Sequence, residues 1–162
     1  MATRNIVTSD YDVLYKKTRK VEKFDKKLHT LLDDMKETME LANGVGLAGP
    51  QVGILRQVCI IDVGDGIVEL INPEILESSG TQDDAEGCLS FPGEYGMVER
   101  PNYVKFKAQD RDGNWYEMEG EELFARAVFH ETDHLEGVVF TSKVSKMLTA
   151  DELQALNEED EK

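Results

Sequence analysis

Residues 123–135 combine two demands that few folds meet together. Leu123, Phe124, Ala127, Val128, Phe129 and Leu135 give the stretch the apolar character of a buried helix, yet it also carries His130, Glu131, Asp133 and His134. Imidazoles and carboxylates are costly to bury without partners, so the fold must bring those partners to this helix. His130 and His134 stand at i and i+4, share one face, and have roots about 5–6 Å apart. Both rings can therefore reach one divalent ion, and Glu131, one position on, can meet a water there; this is the chemistry of H-E-x-x-H. The competing reading is a chance pattern on an ordinary core or surface helix. Against it, the chain has three histidines and two of them are here.

A tetrahedral catalytic site needs three protein ligands and one open position. Of the two cysteines, Cys59 lies in Gln57-Val58-Cys59-Ile60-Ile61 and reads as a small core hydrophobe of a buried strand. Cys88 lies in Glu86-Gly87-Cys88-Leu89-Ser90, just before Pro92, in what reads as a tight segment outside the regular strands. Small neighbours there let the backbone approach an ion, and a thiolate is a strong ligand for zinc or ferrous iron. Taken alone it could be an inert buried thiol. His29, on another helix, reads as a surface residue.

The remaining pattern sets the fold class. After an irregular arm of about 20 residues, Leu28, Leu31, Leu32, Met35, Met39 and Ala42 recur at helical steps. Asp25 can cap that helix and Asn43-Gly44 can stop it. Short β-branched runs follow over 58–63 and 67–71, with Gly64-Asp65-Gly66 as a hairpin turn. Alternating runs over 103–108 and 115–118 form a second hairpin around residues 110–114. A second helix is expected over 121–136 with Gly137 as its stop, and a short third over 150–158. The expectation is an α+β fold of mostly antiparallel sheets packed around a central metal-binding helix, with an N-terminal and a short C-terminal helix.

A chain of 162 residues suits one domain, 1–162, with an acidic tail from about 150. No run is apolar enough to span a membrane. The N-terminal residues lack a secretion signal, and two cysteines make no disulfide framework, so a cytoplasmic location is expected. The net charge of −15 should repel phosphate polymers and anionic lipid over roughly a Debye length; neither nucleic acid nor membrane is an expected partner. Nothing in the sequence demands more than a monomer.

Three segments together resemble the peptide deformylase family: Gly44-Val45-Gly46-Leu47-Ala48-Gly49-Pro50-Gln51, Glu86-Gly87-Cys88-Leu89-Ser90, and His130-Glu131-Thr132-Asp133-His134. Their order and spacing are the family's, and the resemblance runs from about Val21 to Lys143. It implies a hydrolase that removes the formyl group from formyl-methionine at the N-terminus of new polypeptides. Cys88, His130 and His134 would hold the ion, usually ferrous iron in the cell, with zinc, nickel or cobalt able to replace it. Glu131 would act on the attacking water and then on the leaving amine. Gln51 and the backbone N–H of Leu89 would bind the oxyanion. Val45, Leu123 and Ala127, with the stem of His130, would line an apolar pocket for the methionine side chain. Gly46, Gly87 and Tyr95 would face the substrate as well, with Tyr95 on its backbone. Arg100 can pair with Glu86 or Asp133 and hold the ligand loop against the helix.

The chain departs from the family in two places. Gly49 stands where many members have alanine. The tail, Asp151 to Lys162, is acidic where some relatives carry a basic helix, which argues against ribosome docking through it. Two other functions compete. An H-E-x-x-H peptidase would usually take a histidine or carboxylate as third ligand, but no histidine follows His134, and Glu136 should face away from the ligand side. A non-catalytic metal-binding module has no need of Glu131 and Gln51, yet both are present.

Overall fold

The computed structural model describes residues 2–160. Glu161 and Lys162 of the expected acidic tail lie outside the described residues. Helix α1 spans Lys26–Leu41, and Asp25 caps it, its side chain accepting from the Leu28 N–H at 3.1 Å. Asn43, in a left-handed conformation at φ 57°, turns the chain out of it. Strands β1 (Gly46–Ala48), β2 (Val58–Ile61), β3 (Val68–Ser79), β6 (Tyr103–Gln109) and β7 (Trp115–Glu121) form one five-stranded sheet in the order β1-β2-β3-β6-β7. Strands β4 (Gln82–Cys88), β5 (Phe91–Arg100) and β8 (Val144–Met147) form a second sheet in the order β4-β5-β8. Every strand pairing in both sheets is antiparallel. Helix α2 spans Glu122–Leu135, and α3 spans Ala150–Asp160.

The apolar run Val58–Ile61 is buried on both faces because a helix covers each. Val58 and Ile60 pack with Leu47, Ile71 and the α1 residues Leu28, Leu32, Met35 and Met39. Cys59 and Ile61 turn the other way, towards Ala125, Ala127 and Val128 of α2, with Leu70, Val104 and Phe106. Alternate residues of a strand face opposite sides, so one four-residue strand joins two cores. Each fully buried aliphatic side chain there contributes about 1.5–3 kcal/mol. A third cluster, Leu14, Phe91, Val98, Val139 and Phe140, packs the smaller sheet. Helix α2 thus lies between the two sheets, as the central helix of the expected α+β fold.

The N-terminal arm is irregular apart from a short 3₁₀ turn at Asp12–Tyr15, and it is tied down. Ala2 and Arg4 donate to the Asp34 carboxylate at 3.0 and 3.1 Å, and the Arg4 N–H donates to Thr38 at 2.8 Å.

Several expectations need correction. Cys88 is not outside the strands: it is the last residue of β4, and the tight turn comes after it, at Leu89 and Ser90. Within the Gly44–Gln51 segment, to which the pattern assigns no element, Gly46–Ala48 pairs with β2 as an edge strand. Strand β3 continues past Ile71 to Ser79 through two register shifts, with Asn72 at φ 51° marking the irregularity. The β4–β5 hairpin and β8 were absent from the pattern, since Gln82-Asp83-Asp84-Ala85-Glu86-Gly87 carries almost no apolar side chain to report a strand. His29 is half-buried, its Nε2 lying 2.7 Å from the Arg111 carbonyl.

Candidate metal centre

Three elements converge beneath one cleft. The end of β4 brings Cys88. The buried face of α2 brings His130 and His134. The turn after β1 brings Gln51, which is almost wholly buried. The donor atoms of Cys88, His130 and His134 all lie within 4.8 Å of one another. Cys88 Sγ stands 3.4 Å from His134 Nε2. Gly137, at φ 76°, ends α2 just beyond these ligands, where a β-carbon would run into the backbone of Tyr15. Glu136 caps the helix on the outside and pairs with Lys17, away from the ligands as expected.

The thiol and the two imidazoles form a donor set suited to a soft or borderline divalent ion. An orphaned atom points the same way: Glu131 is buried, and its Oε1 has no hydrogen-bond partner among the described residues. An unpartnered carboxylate oxygen in an interior is expensive, and a water held at an ion beside it would relieve the cost. Burial pushes the Glu131 carboxyl up to about 7. Gly46 makes room for it, since a β-carbon at that position would meet the Glu131 carboxylate.

Gln51 is held by its own turn. The backbone N–H of Ala48 donates to Gln51 Oε1 at 3.0 Å, so the amide nitrogen faces the other way. That Nε2 donates to Cys88 Sγ at 3.4 Å and to Ser90 Oγ at 3.2 Å. A donor is thereby fixed beside the three-ligand cluster.

Behind His130 lies a buried ionic cluster. Burial alone would raise the Glu86 carboxyl, but hydrogen bonds from His130 and Arg100 outweigh it and hold the group well below the usual carboxylate range. An ionised carboxylate only accepts, so His130 Nδ1 donates to Glu86 Oε2, at 2.6 Å, and His130 Nε2 is left for the cluster. Arg100 grips both Glu86 oxygens, at 3.2 and 2.7 Å, and reaches Asp133 at 2.7 Å. It pairs with both expected carboxylates rather than one. Arg126, which sequence reasoning missed, donates to Glu86 Oε1 at 2.9 Å. Its signal was a lone arginine on an apolar helix, four residues before His130. Ser90 was missed too, and its role becomes visible only through Gln51.

The cleft above the cluster has a volume of about 490 Å³. Of the residues singled out in the sequence, Val45, Gly46, Gln51, Gly87, Cys88, Leu89, Tyr95, Leu123, Ala127, His130 and Glu131 all border it. His134 is fully buried and does not border the cleft. Val45, Leu123 and Tyr95 are partly exposed at its rim, whereas Ala127 is buried. Gly87 pairs with Tyr95 across the β4–β5 ladder, and a β-carbon on Gly87 would strike the Tyr95 ring.

The family model for polypeptide deformylase matches residues 3–150. The peptide deformylase of Alkaliphilus metalliredigens is 59% identical over 146 residues, which cover 90% of this chain and 99% of that protein. That of Caldicellulosiruptor bescii is 53% identical over 154 residues, covering 95% and 93%. The crystal structure of peptide deformylase from Thermotoga maritima superposes with a TM-score of 0.87 at 43% identity, covering 88% of this chain and 98% of that one.

Proposed function

The chain belongs to the polypeptide deformylase family, hydrolases that remove the formyl group from the N-terminus of new polypeptides, and we propose which of its residues carry that reaction. Cys88, His130 and His134 hold one divalent ion, ferrous iron in the cell, with zinc, nickel or cobalt able to take its place. The ion supplies positive charge that polarises the formyl carbonyl and makes a nearby water more acidic. Glu131 takes a proton from the water as its oxygen attacks the formyl carbon. It returns that proton to the nitrogen as the C–N bond breaks, so that formate and a free amine leave. One carboxylate can be base and then acid in this way. The Nε2 of Gln51 and the backbone N–H of Leu89 donate to the oxygen that gains charge; removing one such donor typically costs about 3–4 kcal/mol of activation free energy.

The observation that carries this reading is the convergence of Gln51, Cys88, His130 and Glu131 on one cleft, with a buried Glu131 oxygen left unpartnered. The methionine side chain lies against Val45, Leu123, Ala127 and the stem of His130. Gly46 and Gly87 let the substrate backbone approach, and Tyr95 contacts it. The substrate adds as a strand beside the edge of β1. Residues 1–162 act as one catalytic unit, a monomer working in the cytoplasm.

The test is formate release from formyl-Met-Ala-Ser by anaerobically metal-reconstituted protein, with Glu131→Ala alongside. Rapid release by the first and near-silence from the second is the expected result. Equal release from both would remove Glu131 from its role. No release from folded, metal-loaded protein would overturn the assignment.

A further inference from the structure

The three proposed metal ligands come from two separate pieces of backbone, and something must register one against the other. Cys88 belongs to β4, whereas His130 and His134 belong to α2. Glu86 stands two residues before Cys88 on the same strand, and α2 grips it at both ends. Its Oε2 accepts from His130 Nδ1 at 2.6 Å, and its Oε1 accepts from Arg126 Nη1 at 2.9 Å. Arg126 and His130 are one helical turn apart on one face, so the two grips belong to a single rigid body. Arg100, the other cation on Glu86, comes instead from the end of β5 and divides its donors between Glu86 and Asp133. It is a second tie between Glu86 and α2, made through Asp133, but from a residue that belongs to neither element.

We propose that Arg126 is a positioning residue. By holding Glu86 Oε1 one turn from His130, it fixes β4 along α2 and so sets the position of the Cys88 sulfur relative to the two histidines. The Arg126 side chain is 6% exposed and Glu86 is 5% exposed, so water does not stand in for the lost contact without rearrangement. The other contact of Arg126 is with Gln82 Oε1 at 3.3 Å, at the start of β4. Its remaining nitrogen, Nη2, is buried and unpartnered among the described residues. A guanidinium buried with a spare N–H is unfavourable for stability alone, which fits a residue whose task is geometry.

The inference rests on the ligand reading above, and the experiment separates the two. Zinc affinity is measured on the metal-free protein by competition with a chromophoric chelator. The absorption spectrum of the cobalt-substituted form is recorded in parallel, since it reports the sulfur–metal bond. Arg126→Met is expected to weaken zinc binding by about 10- to 100-fold, the usual effect of removing a group that orients a ligand, and to shift or weaken the sulfur-to-cobalt band. Arg126→Lys, which keeps one donor, should recover part of both. Gln82→Ala removes the other contact of Arg126 and should leave zinc affinity within about twofold. If Arg126→Met does not fold, Arg126→Lys carries the test through a smaller change in the same direction. A folded Arg126 variant with wild-type zinc affinity and an unchanged cobalt spectrum would overturn the proposal. Equal losses in the Gln82 and Arg126 variants would also overturn it, by reducing the effect to general destabilisation. If the wild-type protein itself shows no sulfur–cobalt band, the ligand reading fails instead.

Discussion

At the scale of single residues, the site is crowded enough that one hydrogen atom decides what fits. Gly46 shows this most directly, because its missing side chain is the space that the Glu131 carboxylate occupies. Gly46→Ala should leave the fold in place and push that carboxylate aside. A displacement of about 1 Å at a reacting group can cost 10²-fold in rate, so kcat for a formyl-methionyl peptide should fall by about that factor while zinc affinity stays near wild type. Steady-state kinetics beside a metal titration checks both halves. A Gly46→Ala enzyme with unchanged kcat would mean that Glu131 has room elsewhere. The proposed ligands and the proposed base were legible in the sequence because the chemistry draws on rare residues at fixed spacing. Arg126 and Ser90 were not, because each acts by touching a segment far away in the chain. Arg100 is intermediate: the sequence offers Glu86 and Asp133 as alternative partners, and the fold brings both to it.

At the scale of elements, legibility followed apolar content. The helices, the β2–β3 turn and the β6–β7 hairpin announce themselves by periodicity and by Asp25, Asn43 and Gly137. Strands β4 and β5 do not, although they carry Glu86, Cys88 and Tyr95. Few of their residues are apolar and buried, and they are held by pairing with each other and by Phe91 and Val98 packing against Leu14, Val139 and Phe140. The junction between the two cores is β2, and Ile60 is fully buried on its α1 side. Ile60→Ala should destabilise the protein by about 2–5 kcal/mol. The loss should appear first as faster hydrogen exchange in α1, against which Ile60 packs. Exchange that instead rose equally in α2 would mean that the two faces of the sheet do not open separately.

At the scale of the whole molecule, the interior responds to alkali. Cys59 is fully buried, and burial pushes its thiol well above the usual 9.0. Burial likewise raises the Tyr116 phenol above its usual 10.0, and its hydroxyl donates to the Glu69 carbonyl at 2.5 Å. Both groups stay neutral while folded and ionise at ordinary values once unfolded. Below pH 9 the two states bind the same protons at these sites, and stability should be flat in this respect. Above it the unfolded chain binds fewer protons, so stability should fall by up to about 1.4 kcal/mol per pH unit for each group. Urea midpoints between pH 8 and 11 should show the decline, and Tyr116→Phe should make it shallower. An unchanged slope in that variant would remove the phenol from the account.

The division of the proposed ligands between β4 and α2 has a consequence beyond chemistry. Cys88 and His134 stand 46 positions apart in the chain, and an atom bonded to both is a cross-link that closes that loop. In an unfolded polypeptide a loop of this size costs on the order of 4 kcal/mol of chain entropy to close. The same ion that serves the reaction would then act as a rivet, one that is fastened by metal supply and not by oxidation. Cellular supply of the ion would govern how long each copy of the enzyme survives as well as how fast it turns over.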